Sequence, residues 1–209
     1  PRKPIRLVKG QDGQIRALES DNSDADHTEA LAQQAINFVQ DNQTISGFIA
    51  TPNSPSCGVF TVKLYLPNGN PVNKSSGIFS KTLRELNPLL PVEEAGRLND
   101  AGLRENFIMR VYTYQRWQEL NRQPLTAQKL VQFHTRHKYL VMSHSHAAYK
   151  TLGQMVATAG SADLTQLGRD GRLREGLTFE AETVRLIKML AEGGRRRPVL
   201  IDEARSVQE

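Results

Sequence analysis

Near residue 97 the apolar residues of this 209-residue chain change their period. Before that point, short runs of β-branched and aromatic residues alternate with polar turns and two helical stretches. After it, apolar residues recur every three to four positions through long windows. Side chains of a strand alternate between two faces, whereas those of a helix return to one face every 3.6 residues, so the two halves must be built differently. Residues 1–97 are expected to form a partial, Rossmann-like α/β unit and residues 98–209 an all-α helical domain. Two small domains also suit the length.

Within the first half, "PIRLVKG" and "IRAL" flank Asp12 and Gly13, a dipeptide that favours a tight hairpin turn. A helix follows in "SDADHTEALAQQAINFVQDNQ", where Leu31, Ala35, Phe38 and Val39 recur at helical spacing and Asp26 or Thr28 stands as the cap. "TISGFIAT" reads as a strand. The segment "VFTVKLYLPNGNPVNKSSGIF" predicts a strand, a turn at Asn68 and Gly69, and a polar loop. "SKTLRELN" predicts a short helix ending before Pro88, and "LLPVEE" a last strand. In the second half four helices are expected. They lie in "LRENFIMRVYTYQRWQELNRQ", in "PLTAQKLVQFHTRHKYLVMSH" with Thr126 near its cap, in "SHAAYKTLGQMVATAG", and in "TFEAETVRLIKMLAEGG" stopped by Gly193 and Gly194.

The strand "TISGFIAT" runs into "NSPSCG", which holds the only cysteine of the chain, Cys57. In α/β architecture, sites gather beyond the carboxyl ends of parallel strands, where this loop is expected. A lone cysteine is often a small buried hydrophobe. Here Pro55 and Gly58 favour a turn whose backbone amides would lie beside a thiolate. One cysteine excludes a disulfide scaffold, so the default compartment is a reducing cytoplasm. One thiolate alone does not hold an iron-sulfur cluster either. No apolar run reaches the roughly 20 residues that a membrane-spanning helix needs. The chain begins at Pro1 instead of methionine, which is expected of a processed protein or a fragment.

Formal net charge is +5. It is concentrated. Arg104, Arg110, Arg116, Arg122, Lys129, Arg136, Lys138 and Lys150 fall in one stretch against only Glu105 and Glu119. A second knot, Arg195 to Arg197, lies near the C-terminus. Such a stretch favours a polyanionic partner. Arg110, Tyr114 and Trp117 share a helix face and either stack on exposed bases or fill the bundle core, the expected place for Trp117. His134 and His137 have a spacing compatible with a shared metal, but neither a cysteine nor a carboxylate accompanies them. Hydrogen-bonded or RNA-facing histidines are expected instead.

"SPSCG" after a short apolar strand, with "PRKPIRLV" some fifty residues before it and "GIFSKTL" after it, resembles the thiouracil desulfidase family. In that family three cysteines hold a 4Fe-4S cluster that extracts sulfur from thiolated pyrimidines. Cys57 matches the third of these ligands, and Ser54 a position close to the substrate, so the resemblance implies a cluster ligand at Cys57 and a catalytic role for Ser54. The other two cysteines and a catalytic acid belong to upstream segments and are absent from this chain.

"ENFIMRVYTYQRWQEL" followed by "KLVQFHTRHKYLVMSHS" is similar to a helical domain often fused behind the desulfidase domain, in bacterial desulfidases that act on 4-thiouridine in tRNA. This resemblance implies tRNA as the partner, with Arg110, Arg116, Lys129, Arg136 and Lys138 facing phosphate. It fades beyond Gly160, where "EGLTFEAETVRLIKML" replaces the Arg/His/Asn-bearing helix of that domain. Three expectations stand: a cluster-dependent tRNA desulfidase seen as an incomplete chain, a noncatalytic RNA-binding module, and a helical protein-interaction module. A desulfidase acting on free thiolated pyrimidines is a variant of the first.

Overall fold

The computed structural model describes residues 3–122 and 126–161. It divides into two compact units, Pro1–Phe107 and Ile108–Glu209.

The first unit opens with the hairpin of β1 (Ile5–Lys9) and β2 (Ile15–Glu19). Its turn runs from Gly10 to Gln14, with Gly13 at φ 78° and the Asp12 carboxylate accepting from the Gln14 amide at 3.0 Å. α1 (Thr28–Asp41) follows. The cap position itself is His27, one residue from either expected cap. Asp26 still serves the helix start, accepting from the Thr28 amide at 2.8 Å, while the Thr28 hydroxyl accepts from the Ala17 amide at 2.8 Å and ties α1 to β2.

β3 (Phe48–Ala50) is shorter than its sequence run, and β4 (Val62–Tyr65) turns at Gly69, φ 86°, into β5 (Pro71–Ser75). The sequence predicted a polar loop where β5 lies. Its side chains are mostly exposed, so no apolar alternation marks it; the pairing with β4 is carried by the backbone, and Pro71 is tolerated because β5 is an edge strand. α2 (Ile78–Leu86) starts two residues before the expected helix and ends at Asn87, ahead of Pro88. β6 (Val92–Glu94) and a 3-10 helix, Ala95–Asn99, lead to α3 (Ala101–Asn121).

A four-stranded mixed sheet has the order β2-β1-β4-β5, with β1 and β4 parallel; β3 and β6 form a separate parallel pair. Leu7, Ala17, Val62, Leu64 and Ile78 make the core, with Leu31 and Ala32 of α1 packed against it. Phe38 of α1, Phe48 of β3 and Phe79 of α2 meet at centroid distances of 5.6 to 5.7 Å. This aromatic trio joins the two-stranded sheet to both helices. The half is α/β, as expected.

In the second unit, α4 (Ala127–His144) is capped by Thr126, whose hydroxyl accepts from the Lys129 amide at 3.3 Å, and α5 (His146–Ser161) follows a break at Ser145. Trp117, Phe133, Val141, Leu152 and Val156 are buried. The helical second half therefore matches the expectation over the described residues. The expected fourth helix, residues 178–194, and the basic knot at 195–197 lie outside them.

Candidate functional site

β3 and β6 run parallel, with Ala50 level with Glu94, and both carboxyl ends open on the loop that carries Cys57. The loop begins with Asn53 in the left-handed region at φ 60°, a conformation that asparagine tolerates. The Asn53 side chain accepts from the Thr61 hydroxyl at 3.0 Å, which joins the two ends of the loop. Inside it, the Gly58 amide donates to the Ser54 carbonyl at 2.8 Å and the Cys57 amide to the Ser54 hydroxyl oxygen at 3.2 Å. Glycine is required at 58 by space: a Cβ there would stand 2.8 Å from the Ser54 carbonyl oxygen.

Five successive carbonyls of this loop are taken by the segment from Ser76 to Ser80. Pro55 accepts from the Ile78 amide at 3.1 Å, Ser56 from the Ser80 amide at 3.4 Å, and Gly58 from the Gly77 amide at 2.8 Å. Cys57 accepts from the Ser80 hydroxyl at 2.5 Å and Val59 from the Ser76 hydroxyl at 2.6 Å. The first amides of a helix have no partner within it, and here the loop supplies them. Next, the amides of Val59 and Phe60 both donate to one oxygen of Glu94, at 2.7 and 3.0 Å. The backbone around Cys57 is thus fastened on several sides. Its thiol is free, half-buried, and without a hydrogen-bond partner among the described residues.

Ser54 and Cys57, named from sequence, are therefore brought together. Ser76, Gly77, Ser80, Glu93 and Glu94 were not named. The serines and the glycine stand in "SSGIFSK" and the acids in "PVEE", both legible as secondary structure but silent about the loop they hold. Two acids directly after the apolar run "LLPV" were the available signal.

In the second unit the named bases fall on two helices. Arg110 and Arg116 are half-buried on α3; Lys129 and Lys138 are half-buried and Arg136 exposed on α4. Tyr114 and Trp117 are buried, with Trp117 5.9 Å from the Phe133 ring, so both belong to the core and not to a stacking surface. Two other tyrosines, Tyr112 and Tyr139, are exposed, and each lies beside a cation. Arg116 stands 6.0 Å from the Tyr112 ring and Lys138 5.0 Å from the Tyr139 ring. Sequence reasoning missed Tyr112 because α3 carries aromatic residues on more than one face.

His137 is buried against the Phe133 ring at 4.4 Å. Its Nδ1–H donates to the Phe133 carbonyl at 2.7 Å, which leaves Nε2 to accept from Arg116 at 3.5 Å. Burial, ahead of the neighbouring arginines, pushes its pKa below the ordinary value of 6.5, so the ring is neutral. A guanidinium beside Nε2 is a poor neighbour for a metal. Among the described residues no three His, Cys, Asp or Glu side chains gather as a metal site. Nor is any described helix long and apolar enough to cross a membrane.

Residues 1–95 match the family model of 2-thiouracil desulfurase. The match takes in the whole Cys57 loop and α2 and ends just after Glu94, short of the helical half. No curated protein and no solved structure matches the chain.

Proposed function

We propose that the first unit belongs to a desulfurase of thiolated pyrimidines, and that its substrate is 4-thiouridine in tRNA, which is converted to uridine. In the overall reaction the carbon-sulfur double bond is replaced by a carbon-oxygen double bond, with water as the oxygen donor and its two protons leaving with the sulfur as hydrogen sulfide. The observation that carries the reading is the Cys57 loop, within the matched segment. A loop bound backbone-first to α2 and to Glu94 presents one thiol beyond the carboxyl ends of two parallel strands. A thiol so held is preorganised as a soft ligand. Ser54 uses its oxygen to accept from the Cys57 amide and keeps its hydroxyl proton to donate, which suits it to orient a pyrimidine carbonyl or a water.

A 4Fe-4S cluster takes three or four thiolates. This chain has one cysteine, and the described residues gather no other donor set around it. The residues present do not fit a complete cluster site, and Cys57 counts as a single ligand for it.

Support for an RNA substrate comes from the second unit, where exposed Tyr139 and Tyr112 each sit beside a cation. Aromatic rings with neighbouring cations suit unstacked bases and phosphate. A free base would have no use for them. A competing reading is a noncatalytic RNA-binding module. The test is anaerobic incubation of the full reading frame with tRNA containing 4-thiouridine and, separately, with 2-thiouracil, reading sulfide release and loss of the thione absorbance. Sulfide from the tRNA, abolished by Cys57→Ala, is the expected result. Salt-dependent tRNA binding without sulfide supports the noncatalytic module; turnover of 2-thiouracil alone supports a free pyrimidine substrate.

A further inference from the structure

β6 ends in two consecutive acids, Glu93 and Glu94, both buried. Successive side chains of a strand leave on opposite faces, so the two acids serve different neighbours. Glu93 accepts from the Glu94 amide at 2.9 Å and from Arg97 Nε at 2.8 Å, and the Arg97 guanidinium lies 4.7 Å from the centre of the Phe60 ring. This ion pair secures the 3-10 helix against the end of the Cys57 loop.

Glu94 has no such partner. It is 2% exposed and forms no ion pair among the described residues; the Val59 and Phe60 amides both donate to one of its carboxylate oxygens. Removing a carboxylate from water without a cation is costly, and only strong charge-assisted hydrogen bonds offset that cost. Because Ala50 is level with Glu94 in the parallel pair, the carboxylate sits beside the residue where β3 gives way to the loop, and it grips the amides where the loop ends.

We infer that Glu94 is a positioning residue for Cys57. Its carboxylate closes the loop against β6, while Ser76, Gly77 and Ser80 hold the carbonyls from the α2 side, so that the thiol keeps one orientation. This rests on the reading of Cys57 as a site residue, but its test does not depend on sulfur removal.

With one cysteine in the chain, alkylation by iodoacetamide reports on Cys57 alone. The rate constant is measured across pH and extrapolated to the fully ionised thiol, beside a thermal melt of each variant. Glu94→Ala is expected to raise it about tenfold or more, the factor that ~1.4 kcal/mol represents. Glu94→Gln, which keeps an acceptor oxygen at the same reach, is expected to stay within about threefold of the parent. Glu94→Asp, whose acceptor is withdrawn by one methylene, is expected to fall with alanine; it carries the comparison if the alanine variant does not fold. A folded alanine variant with the parental rate, or aspartate and glutamine variants that react alike, overturns the assignment. Alkylation as expected, with no sulfide released from any thiolated pyrimidine by the full reading frame, leaves Glu94 in place and removes the desulfurase reading instead.

Discussion

The hydroxyl of Ser80, in the first turns of α2, donates to the carbonyl of Cys57 at 2.5 Å, and Ser80 is completely buried. The bond crosses from a helix to the peptide unit that carries the thiol. Ser80→Ala leaves that carbonyl without its donor in a buried place, where an unsatisfied polar group costs about 1–3 kcal/mol. The denaturant midpoint of the first unit should fall accordingly. Alkylation of Cys57 should also become faster, which a loss of stability confined to the far end of α2 would not produce.

Replacing Gly77 and replacing Gly13 should have unequal effects. Gly77 has an ordinary φ of −62°, yet a Cβ there would overlap the backbone carbonyl oxygen of Ser56, which cannot swing aside as a side chain can. Gly77→Ala should destabilise the unit by roughly 1–3 kcal/mol or more, because the loop or the start of α2 has to shift. Around Gly13 there is open space and only the positive φ is at stake. Gly13→Asn should therefore be mild, since asparagine tolerates that region. Urea unfolding of the two variants checks the contrast.

How far the sequence was legible follows from what each element rests on. The hairpin, α1, α2 and the change to long helices are local: Gly13, the 3.6-residue recurrence of Leu31, Ala35 and Phe38, and Pro88 after α2 set them within a few residues. β5 was not legible because an exposed edge strand has no apolar alternation. The thiol loop was recognisable by its small turn-forming residues, but its fastening was not. Glu94 lies 35 positions from Val59 and Ser80 lies 23 from Cys57, and no local pattern connects such pairs. On α3 the sequence placed Trp117 in the core, as the structure does, but left Tyr114 open between core and stacking surface; the structure puts Tyr114 inside and Tyr112 outside.

His137 makes the stability of the helical unit depend on pH. Its folded pKa lies below the ordinary 6.5, chiefly through burial, so the unfolded chain binds a proton more readily. Stability rises with pH wherever the unfolded state holds more protons. The contribution is thus fully present above about 6.5 and is lost as pH falls from there towards the lowered folded value. Melting temperatures read between about pH 5 and pH 8 should drop on the acid side, and His137→Phe should flatten that part of the profile. An unchanged profile in the variant would place the titration elsewhere.

Binding of tRNA, on the proposed reading, should respond differently to the loss of a charge and of a ring. Arg136 is exposed on α4, so Arg136→Glu removes a phosphate contact and leaves the core untouched. Each neutralised phosphate releases counterions, so affinity should fall for every tRNA alike, and the slope of log affinity against log salt should become shallower by about one or more. Tyr139 is 66% exposed, with Lys138 beside its ring. Tyr139→Ala removes a stacking surface but no charge, so it should cost roughly 1–3 kcal/mol with the salt slope unchanged. Titrations of both variants between low and moderate salt separate the two effects. If neither variant weakens binding, α4 does not face the RNA; if both change the slope together, Tyr139 acts by holding Lys138 in place and not by stacking on a base.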